Sequence, residues 1–331
     1  MRVDTTRSAI QRALWQERTL VRTYGIRGTI HLFPSGELPL WMAAIRAREA
    51  AATKPDNWYG QHGEQIEVLV QAIRDSLDGR VLSQRELGAE VVKRAGAWAG
   101  EVFGDAWVSG WPRWRIALGP AARRGALCFA EPRGNEVTFA RPDEWLDGWE
   151  HVDSATALAT VLRRFLHAYG PSRPREFAEW FNLPLAAAKN VFSSLEPELV
   201  EVQVDDERGT RYALRDFGGS VSAGAGSVRL LPHFDCYLRG CYPRERLALG
   251  DHRQRSGGGT GQFPVLLVDG TVAGVWERRG AGKRLEVTVD SFVRLNASQR
   301  RAVARETERI GRILEAPANL VFGPVEVRAH L

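Results

Sequence analysis

Two stretches of the chain, residues 64–142 and 154–214, run through the same order of elements, and that repeated order limits the fold more than any composition does. In the second stretch Leu158, Val161, Leu162, Phe165, Leu166 and Tyr169 fall on one face of a helix that Gly170-Pro171 ends. A shorter helix follows Ser172, with Pro174 in its first turn and Phe177, Trp180 and Phe181 turned inward. A break at Asn182-Leu183-Pro184 opens a third helix to about Leu195, since proline suits a first helical turn. Val200, Val202 and Val204 then alternate with Glu201, Gln203 and Asp205, the period of a half-buried strand. After the turn DDERG, Tyr212 to Leu214 returns as its partner.

Residues 64–142 repeat the scheme. Ile66, Leu69, Val70, Ile73 and Leu77 make a first helix stopped at Gly79, and Ser83 to Glu86 is a capping box opening a second. A Gly/Trp-rich loop leads through Pro112 to a third helical stretch, WPRWRIALGPAARRG. The strands ALCFA and EVTFA follow around EPRGN. Three helices closed by a two-stranded ribbon describe a winged helix-turn-helix, and two in succession make a pattern.

The chain's beginning fits the same frame. TLVRTYGIRGTIHLFP, residues 19–34, holds two β-type runs, Leu20 to Tyr24 and Thr29 to Phe33, parted by Gly25 and Gly28. A hairpin alone is barely stable in water, and here only Thr6 to about Gln16 precedes it as a helix. The expectation is a third helix and wing, with the first two helices of that unit, roughly 30–40 residues of helix and loop, lying before residue 1.

Beyond Phe217 the texture changes. GGSVSAGAGS (218–227) has the composition of a flexible linker, and RQRSGGGTGQ (253–262) that of a polar loop. PVLLV and TVAGVWERR flank Asp269-Gly270, a strong hairpin signal, and Leu285, Val287 and Val289 alternate as a further strand. A helix from about Ser298 to Leu314 carries Arg300, Arg301, Arg305, Arg309 and Arg312. The expected class is α+β: tandem winged helix-turn-helix units followed by a small, partly closed C-terminal β-barrel with a covering helix. The divisions are 1–45, 60–150, 151–217 and 228–331.

No apolar run approaches the ~20 residues of a membrane helix, and the polar start MRVDTTR is no signal peptide. Three cysteines are too few for a disulfide framework. A cytoplasmic, nucleoid-associated monomer is the expectation. The charge of +5 permits nucleic acid as a partner, and only four of the 45 basic residues are lysine. Arginine's planar fork suits phosphate and base edges, although a GC-rich genome gives the same bias.

RTYGIRGTIHLFP followed by ELPLW resembles the hairpin of the AlkZ-like winged-helix DNA glycosylases, and LLPHFDCYLRGCYPRERL with FPVLLVDGTVAGVWERR resembles their C-terminal barrel segment. The resemblance implies tandem winged helices around a positively charged channel, with the barrel closing one side. It implies binding of double-stranded DNA, damaged or intact, and metal-free, cofactor-free hydrolysis of the N-glycosidic bond of bulky or crosslinked N-alkylpurines. The family's catalytic pair is Gln-hydrophobic-Gln or a close variant. In the family that pair is placed between the early helices of the first unit, and no Gln-x-Gln or Gln-x-Asp occurs in such a place here: Gln11 and Gln16 fall on the helix before the hairpin, Gln61 and Gln65 in a loop. The alternative function is a non-catalytic winged-helix DNA-binding protein or transcription regulator.

An alkylated purine is already a good leaving group, so its excision needs an aimed water and a group steadying the oxocarbenium ion. Asp235, with His233 two residues before it, is a candidate, set against a turn-capping Asp and a structural His. His233, Cys236 and Cys241 match no zinc spacing. Candidate DNA contacts are Arg27 and His31 on the first hairpin, Arg113 and Arg115 on the third helix of the second unit and Arg123 and Arg124 at its end. Arg133 on the wing and Arg208 and Arg211 on the last hairpin complete the set. Trp98, Trp107, Trp111 and Trp114 are expected in the core, a base-unstacking wedge being the other reading.

Overall fold

The computed structural model describes residues 5–52, 63–102, 110–146, 148–203, 209–216, 227–242, 244–257, 263–280 and 284–326. Val204, Trp107, Arg208, Gln61 and most of the 218–227 linker therefore lie outside the described residues. Packing divides the chain into a larger unit, Ile10–Ala168 with Arg173–Leu214, and a smaller one, Met1–Ala9, Tyr169–Ser172 and Arg215–Leu331.

The larger unit begins within α1 (Arg7–Trp15), at Ile10, and continues with the hairpin β1 (Leu20–Tyr24) and β2 (Ile30–Pro34), and α2 (Leu38–Ala51). The hairpin register pairs Leu20 with Pro34 and Tyr24 with Ile30. Helix α2 has no counterpart among the elements expected from the sequence. Pro39 starts it, and Leu38, Met42 and Ile45 make its buried face. Next come α3 (Gly63–Ser76), the short β3 (Leu82–Ser83) and α4 (Gln84–Ala95). Gln65 lies inside α3, not in the expected loop. The capping box is present: the Ser83 hydroxyl accepts from the Glu86 amide, and the Glu86 carboxylate accepts from the Ser83 amide at 2.7 Å.

The expected single helix after Pro112 is split into a 3₁₀ turn, Arg113–Ala117, and α5 (Leu118–Arg123). Hairpin β4 (Cys128–Arg133) and β5 (Glu136–Ala140) follows, then α6 (Pro142–Trp145). Two hairpins expected to stand apart as wings instead share one sheet, ordered β2-β1-β4-β5-β3. Arg22 on β1 pairs with Phe129 on β4, and the Thr23 hydroxyl donates to the Leu127 carbonyl at 3.1 Å. Beneath lie Ile66, Leu69, Ile73, Leu87, Val91, Trp114, Phe129 and Phe139 in one core.

The rest of this unit is α7 (Ser154–Tyr169), α8 (Pro174–Phe181), α9 (Leu185–Ser194) and the hairpin β6 (Leu199–Val202) and β7 (Arg211–Leu214). Asn182 ends α8 in the left-handed region, a conformation Asn tolerates. Phe165, Phe177, Trp180, Phe181 and Phe192 pack ring against ring at 5.0–6.2 Å between centroids.

The smaller unit carries β8 (Val228–Leu231), α10 (Cys236–Gly240), α11 (His252–Arg255), β9 (Val265–Val268), β10 (Thr271–Arg279), β11 (Leu285–Ser291), α12 (Ala297–Leu314) and β12 (Ala318–Phe322). Helix α11 opens the stretch expected to be an all-loop RQRSGGGTGQ, whose residues 258–262 lie outside the described ones. Asp269 and Gly270 both have positive φ, as a two-residue primed turn requires. The sheet order is β12-β11-β10-β9-β8, with β12 parallel to β11 after α12. Strands β8 and β12 remain edges, so the sheet is a half-barrel and not a closed barrel. Leu266 joins the core under α12, whereas Val265 and Leu267 join a second cluster with Leu238 and Leu247. Burial on both faces explains why PVLLV is continuously apolar.

Candidate nucleic-acid interface

Most candidate arginines are committed within the fold. The Arg123 guanidinium is buried and donates to Glu49 at 2.5 Å. Arg211 is buried too, forming a two-pronged pair with Glu176 at 2.9 Å on both prongs. Its placement in the inward register with Ala213 replaces the expected surface position on the last hairpin. Arg124 pairs with Glu67 at 2.6 Å and Arg113 with Glu101 at 3.1 Å. Arg133 reaches back to the capping-box Glu86 and the Val81 carbonyl, fastening the β4–β5 hairpin to the start of α4. A single sequence shows a charge but not the partner that occupies it.

The first hairpin is held at its turn. Arg27 occupies the left-handed region at φ 60, ψ 21, and its guanidinium donates to the Trp180 carbonyl on α8 at 2.5 Å. His31 stacks on Phe33 and hydrogen-bonds the Thr29 carbonyl through Nδ1 at 2.8 Å. A carbonyl can only accept, so Nδ1 carries the proton, and Nε2 is the basic nitrogen of the neutral ring. Burial holds the imidazole below its ordinary value; the Thr29 bond opposes this and the Arg27 charge adds to it. A lowered histidine pKa means the unfolded chain takes the proton first. The His31 contribution is therefore complete above about pH 6.5 and is lost as pH falls from there towards the folded value. The melting temperature should drop over that window, and less steeply in His31→Gln; parallel curves from about pH 5 to about pH 8 would refute this.

Arg115 and Arg22 behave differently. The Arg115 guanidinium lies 3.9 Å over the Trp111 ring, and Arg22 lies over Phe129 at 4.5 Å and Trp15 at 5.5 Å. The Nε of each is buried and has no hydrogen-bond partner. Burial lowers both pKa values, and the nearby Tyr24 raises both slightly. Arg22 escaped notice in the sequence, where Val-Arg-Thr-Tyr alternation marks only a strand. Of the tryptophans, Trp114 is buried and Trp98 packs on the core, but Trp111 is 41% exposed, contrary to expectation.

In the smaller unit, Asp235 is the N-cap of α10, its carboxylate accepting from the Tyr237 amide at 2.9 Å. His233 lies half-buried, its ring centroid 6.2 Å from that of Phe234. Among the described residues no three His, Cys, Asp or Glu side chains are grouped to hold a metal ion.

A family model described as "DNA glycosylase AlkZ-like" matches residues 1–313. The chain is 30% identical over 271 residues to an "Interstrand DNA cross-link repair glycosylase" of Streptomyces sahachiroi, covering 78% of this chain and 70% of that protein. It is also similar to the solved structure of the Streptomyces sahachiroi DNA glycosylase AlkZ. The TM-score is 0.76 at 27% identity, over 95% of this chain and 85% of that one.

Proposed function

Because the chain belongs to the AlkZ-like DNA glycosylase family, we propose that it hydrolyses the N-glycosidic bond of bulky or crosslinked N-alkylpurines in double-stranded DNA. The observation that carries this reading is the family match across residues 1–313, hairpin and barrel segments included. In this reading the three successive helix–hairpin segments act as winged-helix modules along the duplex, and the protein works as a monomer. N-alkylation leaves the purine cationic, so its departure needs no strong acid. Catalysis consists of aiming water at the anomeric carbon and steadying the oxocarbenium ion.

One observation favours a second reading, a DNA-binding protein without catalysis: the 331 residues contain no Gln-x-Gln. Free-base release from a duplex carrying 7-alkylguanine, scored with alkaline strand cleavage, separates the two. Release well above the spontaneous rate supports the glycosylase; tight binding with none supports the binder.

The same assay assigns Asp235. Its carboxylate already caps α10, and Asn caps a helix about as well as Asp. Asp235→Asn is therefore expected to retain both stability and excision, whereas Asp235→Ala should cost about 1 kcal/mol of stability. A 10²- to 10³-fold rate loss in Asp235→Asn, the size typical of a group stabilising developing charge, would show that the carboxylate faces the reaction.

A further inference from the structure

We propose that Phe234 is a stacking residue for bound DNA, its ring meeting the face of an unstacked nucleobase. Six non-glycine residues among the described ones hold a positive φ: Arg18, Arg27, Asn182, Phe234, Asp269 and Glu315. Asn182 and Asp269 are residue types that tolerate the left-handed region. The two arginines and Glu315 are tied there by their side chains. Arg18 donates to the Trp145 carbonyl at 3.2 Å, Arg27 donates to the Trp180 carbonyl at 2.5 Å, and Glu315 accepts from the Ser8 amide at 3.0 Å. Phe234, at φ 57, is not a tolerant type, and its side chain holds no polar atom for such a bond. Burial does not offset the conformation either, because the residue is 51% exposed. A bulky residue in this region is an outlier, and such outliers cluster at functional sites.

The neighbours of Phe234 hold the turn in place. Asp235 caps α10 through the Tyr237 amide at 2.9 Å, and the Tyr237 hydroxyl donates to the Gly270 carbonyl at 3.0 Å. The Tyr169 hydroxyl donates to the Cys236 carbonyl at 3.3 Å, and Leu238 is fully buried in a cluster with Val265 and Leu267 of β9. Helix α10 is thus anchored to the half-barrel, which gives the ring a rigid support. The Arg239 guanidinium lies over the ring, 5.9 Å from its centroid and within cation–π range, and the His233 ring is 6.2 Å away. From Val228 to Arg255 the sequence has six arginines and three carboxylates, one of them the capping Asp235, so the local charge is positive. An aromatic face set among cations suits a base still joined to its phosphodiester: bases stack on aromatic rings, and the charge draws the phosphates. Nucleic acid as the occupant rests on the glycosylase-family reading above; the strain and exposure at Phe234 do not.

The test uses the whole chain with Phe234→Asn, Phe234→Leu and Phe234→Tyr. Melting is followed for each, and affinity for a duplex carrying 7-alkylguanine is measured across a salt series. Asn is at ease in the left-handed region, so Phe234→Asn should melt no lower than the parent. Its affinity should nevertheless fall about 5- to 150-fold, the range for one lost base–aromatic stack. Phe234→Leu keeps an apolar side chain but no ring and should lose affinity to a similar extent, whereas Phe234→Tyr should bind as the parent does. The slope of log affinity against log salt should be the same in all four proteins, because a ring contact releases no counterions. Parent-like affinity in Phe234→Asn and Phe234→Leu would overturn the proposal, and so would a slope that falls together with the affinity. If Phe234→Asn folds poorly, the other two variants decide: equal affinity of Phe234→Leu and Phe234→Tyr would show that no base stacks on the ring. If Phe234→Asn and Phe234→Leu lose affinity but the parent releases no alkylated base, the stacking contact stands and the glycosylase reading fails. Base release by the parent with equal affinity in every variant does the opposite: the glycosylase reading stands and the stacking contact fails.

Discussion

Arg211→Met is expected to lower the stability of the larger unit by about 3–5 kcal/mol, the usual cost of removing one partner from a buried ion pair. The pair is unusually enclosed, with side chains 4% and 11% exposed, and both guanidinium prongs engage both Glu176 oxygens. Removing Arg211 leaves the Glu176 carboxylate in the interior, where the Arg173 amide at 3.0 Å is a remaining donor from its capping role. Coulomb attraction is thus lost while most of the desolvation cost stays. With a denaturant slope of about 1–3 kcal/mol/M in urea, the transition of this unit should move down by at least ~1 M. Replacing both partners, Arg211→Met with Glu176→Leu, should recover most of the loss, because apolar side chains of similar volume leave no stranded charge. A single variant as stable as the parent would mean that the pair contributes little beyond its packing, and the double variant would then show no recovery.

That pair also shows where the sequence stops being informative. Local signals carried far. Apolar spacing located α3, α7 and α8, Ser83 and Glu86 marked the start of α4, and Asp269-Gly270 marked the turn between β9 and β10. Each depends on residues within one or two turns of one another. What escaped was non-local. Glu49 and Arg123 meet across 74 residues, and the junction of β1 with β4 joins Thr23 to Leu127 across 104. No pattern within either segment announces its partner. Helix α2 was lost for another reason: its Leu38, Met42 and Ile45 are spaced correctly, but Arg48 is buried with them while Leu40 and Trp41 are only partly buried, which blurs the amphipathic contrast. The candidate interface suffered most. Whether an arginine is free to meet DNA depends on whether a carboxylate reaches it first, and that is decided only by the fold.

Gly274→Ala is expected to destabilise the smaller unit by about 3 kcal/mol or more, at or beyond the upper end of ordinary overpacking. Gly274 lies on β10 beside an irregularity: register shifts between Val272 and Gly274 against β9, leaving Ala273 out of the β9 ladder. The displaced Ala273 carbonyl accepts the Phe292 amide at 2.8 Å. On the other side Gly274 faces Ser291 of β11. A methyl group there would penetrate the Asp290 carbonyl oxygen and sit 3.1 Å from the Ser291 Cα. Those are backbone atoms of a paired strand, so relief requires parting β10 from β11, the ladder that carries the middle of the half-barrel. Gly323, after β12, provides the control. It has open space around its Cα and no positive φ, so Gly323→Ala should be neutral or stabilising by about 0.4–1 kcal/mol through the unfolded chain. Hydrogen exchange measured by mass spectrometry should show β9, β10 and β11 losing protection in Gly274→Ala while α3 and α7 keep theirs. Equal protection of β10 in Gly274→Ala and in the parent would show that the strand can make room, and that the close approach at Asp290 does not set the register of the half-barrel.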